Sequence, residues 1–353
     1  MTGRVPTVIL GGSGYVAGEL LRLIAAHPHF ELAGVLSDSK PGEPVAASFP
    51  HLACVYPGTR FKSQPEIEAT IAGESQSAVL SAAPHGVAAP LIDRLLAVAE
   101  RAGTRPRVVD ISADFRYRSA AAYRAVYKHE HAAPERLAAF TCALPEHLRE
   151  LTTPHVAHPG CFASAILLAS VPLLALGLAT PTFFVSGITG STGSGRKPVD
   201  GTHHPQRHSD VYAYNPLAHR HVPEIVACAR AASGIEAEFN FVPSSGPFAR
   251  GIHVTVQAPL ARTVDAPGAI GALREYYARA PFVRVAPEAP RIKNVVASNY
   301  AELSATTNGR TIAVLCSLDN LTKGAAGGAI QWLNRMFSFS ESAGLEMPAP
   351  GWT

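Results

Sequence analysis

Cys161 closes the block His158-Pro159-Gly160-Cys161 and stands directly before the uncharged run FASAILLASVPLLALGLAT. This placement predicts a thiol at the N-terminus of a buried helix, where unpaired backbone amides and the positive end of the helix dipole favour the thiolate. Pro159-Gly160 ends the incoming strand and permits a sharp turn. Cys54, Cys142, Cys228 and Cys316 have no comparable setting and read as fillers, so Cys161 is the candidate nucleophile. A thiolate nucleophile is ordinarily served by a base. His203, His204, His208, His219 and His221 crowd one short span. His219 and His221 have strand-like spacing, which would place both rings on one face. Zinc ligation is the sharper use of such a pair and solvated loop histidines the plainer one. Without an HExxH motif or well-placed carboxylates, no metal is expected.

Two glycine-rich loops could hold anions. Gly11-Gly12-Ser13-Gly14-Tyr15-Val16-Ala17-Gly18 lies between an apolar run, Val5–Leu10, and a helix-like segment. Helix-terminal amides left uncovered by side chains can hold a pyrophosphate. The spacing is GxxGxxxG rather than GxGxxG, but its position between strand and helix points to a dinucleotide. Ser37-Asp38-Ser39-Lys40 follows the second strand, where the adenosine ribose would sit. An acid there favours a free 2′-hydroxyl, whereas the serines and the lysine suit a 2′-phosphate. The second loop, Gly190-Ser191-Thr192-Gly193-Ser194-Gly195-Arg196-Lys197, is not a P-loop. Arg196 stands where the lysine belongs, Lys197 where a hydroxyl belongs, and Pro198 blocks the helix. Small residues and hydroxyls ending in two cations suit a substrate oxyanion or phosphate.

The elements that must position these groups follow two patterns. Strand-like runs at 5–10, 30–36, 77–82 and 108–111 alternate with helix-like stretches, which indicates a parallel sheet with crossover helices. After Cys161 the chain turns β-rich, at 183–188, 238–242, 251–257 and 311–318, with longer connections. The fold class is therefore α/β, a Rossmann-type parallel-sheet domain followed by a mixed α+β domain. A length of 353 residues suits two domains, and 47% hydrophobic against 16% charged residues suits a large buried interior. Thirty Lys and Arg against 27 Asp and Glu, with no run of one sign, give no basic stripe for nucleic acid. Five scattered cysteines without CxxC spacing fit a reducing cytoplasm. The run at 162–180 is interrupted by Pro172 and Gly177 and lacks basic flanks, so it reads as a helix buried between layers and not as a membrane span. The N-terminal apolar stretch is too short for a signal peptide.

Together, a dinucleotide loop, a helix-capping cysteine, an HxH pair and an anion loop suggest acyl transfer to a thiolate followed by hydride reduction. In GGSGYVAGELLRL (11–23), APHGV (83–87), DISADFR (110–116), LPE (144–146), HPGCFASA (158–165), STGSGRK (191–197), HRHVPEI (219–225), FARGI (248–252) and DNLTKGAAGGAIQWLN (319–334), the chain closely resembles the N-acetyl-γ-glutamyl-phosphate reductases, relatives of aspartate-semialdehyde dehydrogenase. The resemblance implies that Cys161 attacks an acyl phosphate and that His221, or else His219, is the acid/base. It implies that Gly11, Ser13, Gly14, Tyr15, Val16, Ser37, Pro84, His85 and Asn320 serve NADP(H), with NAD(H) the alternative. Arg116, Ser191, Gly193, Ser194, Arg196 and Lys197 are the candidates for the substrate's anionic groups. It further implies a homo-oligomer, dimer or tetramer, and a cofactor domain over 1–157, completed by a C-terminal helix at 323–353, beside a catalytic and oligomerisation domain over 158–322. Two departures stand out: Ser164 where relatives commonly have Thr, and Asp38 where they often carry Ser or Arg. HHPQRH (203–208) also resembles the lysine-pathway branch, whose carrier-linked aminoadipyl phosphate is one methylene longer; that is the alternative substrate.

Overall fold

The computed structural model describes residues 3–352, which form two compact units. The first holds the chain up to Ala143, then Glu150–His158 and Ala326–Glu346. The second holds Leu144–Arg149, Pro159–Ala325 and the tail from Met347 onward. The hexapeptide 144–149 thus lies in the second unit, within the 1–157 stretch that the family resemblance implies for the cofactor domain.

In the first unit, β1 (Val5–Leu10), β2 (Phe30–Val35), β3 (Gln76–Ser81), β4 (Arg105–Asp110), β5 (Phe140–Cys142) and β6 (His155–Ala157) form one parallel sheet, ordered β2-β1-β3-β4-β6-β5. The strands are apolar through their centres because crossover helices cover them. One helix, Ala88–Ala102, stops at Gly103, whose φ of 72° is the left-handed conformation that glycine accepts without strain. The buried Asp114 serves its start by accepting from the Gly86 and Ala89 amides. The Gly327–Met336 helix packs on β4 and on the Tyr15–Ala25 helix. Trp332, fully buried, donates from Nε1 to the Ala143 carbonyl (3.1 Å).

The second unit is a seven-stranded mixed sheet. Its strands are β7 (Thr182–Thr189), β8 (Tyr212–Ala213), β9 (Glu238–Ser245), β10 (Ile252–Pro259), β11 (Val283–Val285), β12 (Ala301–Thr307) and β13 (Thr311–Leu318), ordered β11-β12-β13-β10-β7-β9-β8. The Cys161–Ala175 helix lies across β10 and β13 beside the Val222–Ser233 helix, and Phe162 to Leu174 are all buried. Its internal Pro172 has no N–H to give the Leu168 carbonyl one turn back. The Tyr277 hydroxyl fills that place, donating to Leu168 O (2.7 Å). Tyr277 Oη in turn meets His147 Nε2 at 2.9 Å, and since the hydroxyl proton is already committed, the imidazole is the donor. Burial pushes the His147 pKa down to about 4, so the ring is neutral. Next to it, Glu146 and Lys323 form an ion pair (2.6 Å) with both side chains fully buried. No helix among the described residues is long and apolar enough to cross a membrane.

Candidate active site

Cys161 is the first residue of its helix, and Gly160 is the extended N-cap. Ser164 returns to the Gly160 carbonyl through both its amide (2.8 Å) and its hydroxyl (3.1 Å), which tightens the first turn. The helix body is buried, but Cys161 is partly accessible and opens on a cavity of about 440 Å³ within the second unit. Thr189, Gly193, Tyr214, His219, Arg220 and His221 also line it. Cys228 and Cys316 are buried, and burial pushes the Cys316 thiol far above its ordinary range.

The His-Arg-His segment is not a strand. It is a turn that delivers His221 as the N-cap of the Val222–Ser233 helix, with Pro223 in the first turn. The two rings do not lie side by side on one face but meet edge to face, with centroids 4.6 Å apart and planes at 81°. The His221 amide donates to His219 Nδ1 (3.2 Å), so neutral His219 carries its proton on Nε2. His219 is wedged among Phe162, Tyr214 and Phe241. Burial, and then Arg220, pushes its pKa down to about 4. His219 is thus an uncharged backing for the turn. The other imidazole reaches toward the nucleophile: a Cβ on Gly160 would lie 2.5 Å from both Cε1 and Nε2 of His221. Only glycine lets that ring edge rest on the turn before Cys161.

Backbone also packs directly against Cys161. Asp319, fully buried at the end of β13, takes both Nε and Nη2 of Arg250 (3.0 Å each). It also accepts from the Leu321 and Thr322 amides, both at 2.8 Å. The chain then makes a π-helical turn, Thr322–Ala326, in which the Gly324 amide reaches the Asp319 carbonyl (2.9 Å). A Cβ on Gly324 would lie 2.7 Å from Cys161 Cβ and 3.0 Å from its Cα. Asn320 ties in two more loops, accepting from the Gly251 amide (2.7 Å) and donating to Thr192 Oγ1 (3.0 Å). Thr192 Oγ1 donates to the Ala249 carbonyl (2.6 Å). Gly190 is similarly obliged to be glycine, since a Cβ there would stand 2.4 Å from the same oxygen. Three segments far apart in sequence therefore form one scaffold around the thiol.

In the first unit, β1 runs into Gly11 at φ +75°, where a Cβ would meet the Ala83 amide nitrogen at 2.5 Å. Gly14 is the extended N-cap of the Tyr15–Ala25 helix, without a side-chain cap and with nothing within 4 Å of a built Cβ. Uncovered amides beneath open space are the cradle that a pyrophosphate requires. At the end of β2, Ser37 is buried and Lys40 donates to Ser48 Oγ (3.1 Å). These residues fit a dinucleotide.

Comparison with known proteins agrees with this anatomy. The family model described as semialdehyde dehydrogenase, NAD binding domain, matches residues 6–151, and that described as semialdehyde dehydrogenase, dimerisation domain, matches 161–320. The N-acetyl-gamma-glutamyl-phosphate reductase of Methanopyrus kandleri is 39% identical over 96% of this chain and 97% of its own length. The protein of that name from Pseudomonas putida is also 39% identical, over 96% of both chains. The chain belongs to the N-acetyl-γ-glutamyl-phosphate reductase family. A solved aspartate semialdehyde dehydrogenase II from Vibrio cholerae shares the fold, with a TM-score of 0.68 at 14% identity over 96% of this chain and 99% of that one.

Within this reductase-family chain, the structure gathers some of the sequence-derived candidates and separates others. Cys161, His219, His221, Gly193 and Ser194 line one cavity. Ser191 lies in the same loop with its amide on the Phe248 carbonyl (2.9 Å), while Arg196 and Lys197 are exposed beyond it and are not among the lining residues. Arg116 belongs to the first unit and is buried, with Nε on the His158 carbonyl (2.9 Å) and Nη2 on that of Ile111 (2.7 Å). Gly11, Ser13, Gly14, Tyr15 and Val16 form the turn into the first helix. Pro84 is exposed, and His85 accepts the Ala113 amide at Nδ1 (2.8 Å). Asn320 is committed to the scaffold described above. Sequence reasoning missed Tyr214 and Arg220 in the cavity and Glu224 behind it. Arg220 sits inside the HRH motif itself, and Pro223 was a readable signal that a helix begins there.

Proposed function

We propose that the protein reduces N-acetyl-γ-glutamyl phosphate to N-acetylglutamate 5-semialdehyde and phosphate, the reaction named for its relatives, as a step of arginine biosynthesis. The observation that carries this reading is the accessible Cys161 thiol at the head of a buried helix, with the His221 imidazole edge against the turn before it. Cys161, deprotonated by His221, attacks the acyl carbon, and phosphate leaves to give a thioester on Cys161. A bound nicotinamide cofactor supplies the hydride that this thioester requires. His221, now protonated, gives its proton to the resulting alkoxide. It takes that proton back as the thiohemiacetal collapses, expelling the Cys161 thiolate and releasing the aldehyde.

His219 supports the assignment of His221 as the acid/base, because its Nδ1 is occupied by the His221 amide and it stays neutral. The cavity's hydroxyls and Arg220 suit the anionic ends of the substrate. Gly11 through Val16 would hold the pyrophosphate. Ser37, Ser39 and Lys40 favour a 2′-phosphate and hence NADP(H), against Asp38, which favours NAD(H). The matched dimerisation model supports a homo-oligomer, and a biosynthetic role of this kind supports a cytoplasmic location.

The test runs the reaction backwards, with phosphate, NADP⁺ and either N-acetylglutamate semialdehyde or its homologue one methylene longer. Reduction of NADP⁺ with strong preference for the shorter aldehyde is expected. Preference for the longer would transfer the protein to the aminoadipyl substrate, and no reduction with either NADP⁺ or NAD⁺ would refute the chemistry.

A further inference from the structure

Glu224 is fully buried in the first turn of the Val222–Ser233 helix, three residues after His221. Its Oε1 accepts the Gly160 amide at 2.8 Å, so it grips the residue immediately before Cys161. The same oxygen lies 2.9 Å from the point where a Gly160 Cβ would stand, and His221 Cε1 and Nε2 lie 2.5 Å from that point. Carboxylate and imidazole therefore close over one spot left vacant by glycine. Holding one amide needs only a neutral acceptor, and glutamine would provide it without the desolvation cost of burying a carboxylate. A carboxylate at that spot has a second use in the charge it presents to the ring.

Building on the reaction proposed above, we propose that Glu224 is a positioning residue that clamps the nucleophile's turn to the His221 ring and biases that ring toward its protonated form. The amide bond fixes where the Cys161 helix begins relative to the helix that carries His221. The negative charge stabilises the imidazolium that forms when His221 holds a proton. The other titratable or charged groups around the cavity are Cys161 on its own helix, Tyr212 and Tyr214 on and after β8, and His219 and Arg220 in the preceding turn. Neutral His219 and Tyr214, the latter pushed upward by burial and then by Cys161, supply no competing negative charge at neutral pH. Arg220 opposes the imidazolium, which makes a compensating carboxylate more useful.

The experiment compares E224Q, E224D and E224A in the full-length protein by two independent readouts. The first follows the His221 Cε1–Hε1 signal of protein carrying ¹³C-histidine, assigned by its disappearance in H221N, and needs no turnover. The second is the reverse reaction, in which neutral His221 must accept a proton, so that kcat rises with pH through the ring's pKa. In E224Q the His221 midpoint and the acid limb of kcat should both move to lower pH by about half a unit or more. The E224Q kcat should fall about tenfold with KM changed less than about twofold. E224D should restore the midpoint in part, and E224A should lose the most rate. A His221 midpoint in E224Q that coincides with wild type overturns the proposal, even if kcat falls, because a purely supporting side chain would do the same. If wild type itself turns over neither aldehyde, the reaction proposed above fails, while the histidine titration still decides the role of Glu224.

Discussion

Gly324→Ala tests whether the π-turn sets the position of the nucleophile. The added methyl would stand 2.7 Å from Cys161 Cβ and 3.0 Å from Cα, where carbon atoms prefer about 3.5–4.0 Å. Turn and cysteine must therefore part by about 1 Å. Neither yields easily. Phe162 to Leu174 are buried, and the turn is pinned by Asp319 on one side and by the Lys323–Glu146 pair within it. Overpacking of this kind costs about 1–3 kcal/mol of stability. That leaves a protein of ordinary stability almost wholly folded. Misplacing a reacting group by about 1 Å costs about 100-fold in rate. The expected result is a kcat about two orders of magnitude below wild type in the reverse assay, with a modest drop in urea midpoint and unchanged cofactor affinity by nicotinamide fluorescence. A variant with wild-type kcat and an unchanged urea midpoint would refute the claim that this backbone contact places the thiol.

Cys161→Ser should abolish turnover while cofactor binding persists; His221→Asn should cost about 100-fold or more in kcat and His219→Asn less, and the reverse order in stopped-flow assays would exchange their roles. Lys323→Met should strand the buried Glu146 carboxylate and cost about 3–5 kcal/mol in urea unfolding, most of it recovered when Glu146→Leu is added. Stability should fall on acidification. His147, held at about 4 when folded and near its ordinary 6.5 when unfolded, lets the unfolded chain bind the extra proton between those values. Its stabilisation, about 3 kcal/mol, is complete above the upper value and is lost as pH falls toward the lower one. Asp110, pushed up to about 6 by burial, acts in the opposite sense, gaining its proton first in the folded state as the pH is lowered. Urea midpoints of wild type and His147→Gln at about pH 7 and about pH 4.5 should therefore differ in the size of the acid loss, smaller in the variant.

How much of this was legible from the chain depended on whether the signal was local. The alternation of apolar runs and helices gave the parallel sheet. A glycine loop between β1 and the first helix and a Pro-Gly turn before Cys161 are contiguous features, and the structure places them at helix starts as expected. The HxH spacing misled because period-2 geometry applies only to extended chain, and Pro223 turns this segment into a helix N-terminus. β12, AELSATT, passes unnoticed because most of its residues are small or polar, yet it is an interior strand with the Ala266–Tyr276 helix against it, and Ala301 to Ala305 are buried. Glu224, Gly324 and the Arg250–Asp319 pair were not readable as site residues. Their contacts to Gly160, Cys161 and each other span 64 to 163 positions, so only the folded sheet brings them together.

The first unit is assembled from both ends of the chain. During synthesis β1 to β4 and the glycine loop emerge early, but the helix that packs on β4 and carries Trp332 begins only at Gly327, 217 residues after Asp110 ends β4. At typical translation rates of about 5–20 residues per second, that delay is about 10–40 s. Over that time the β4 surface destined for the last helix is exposed to solvent or to a chaperone. A ribosome that stops short of that helix leaves the β4 surface beneath it bare, so truncated chains should be captured by holdases even when the glycine loop is intact.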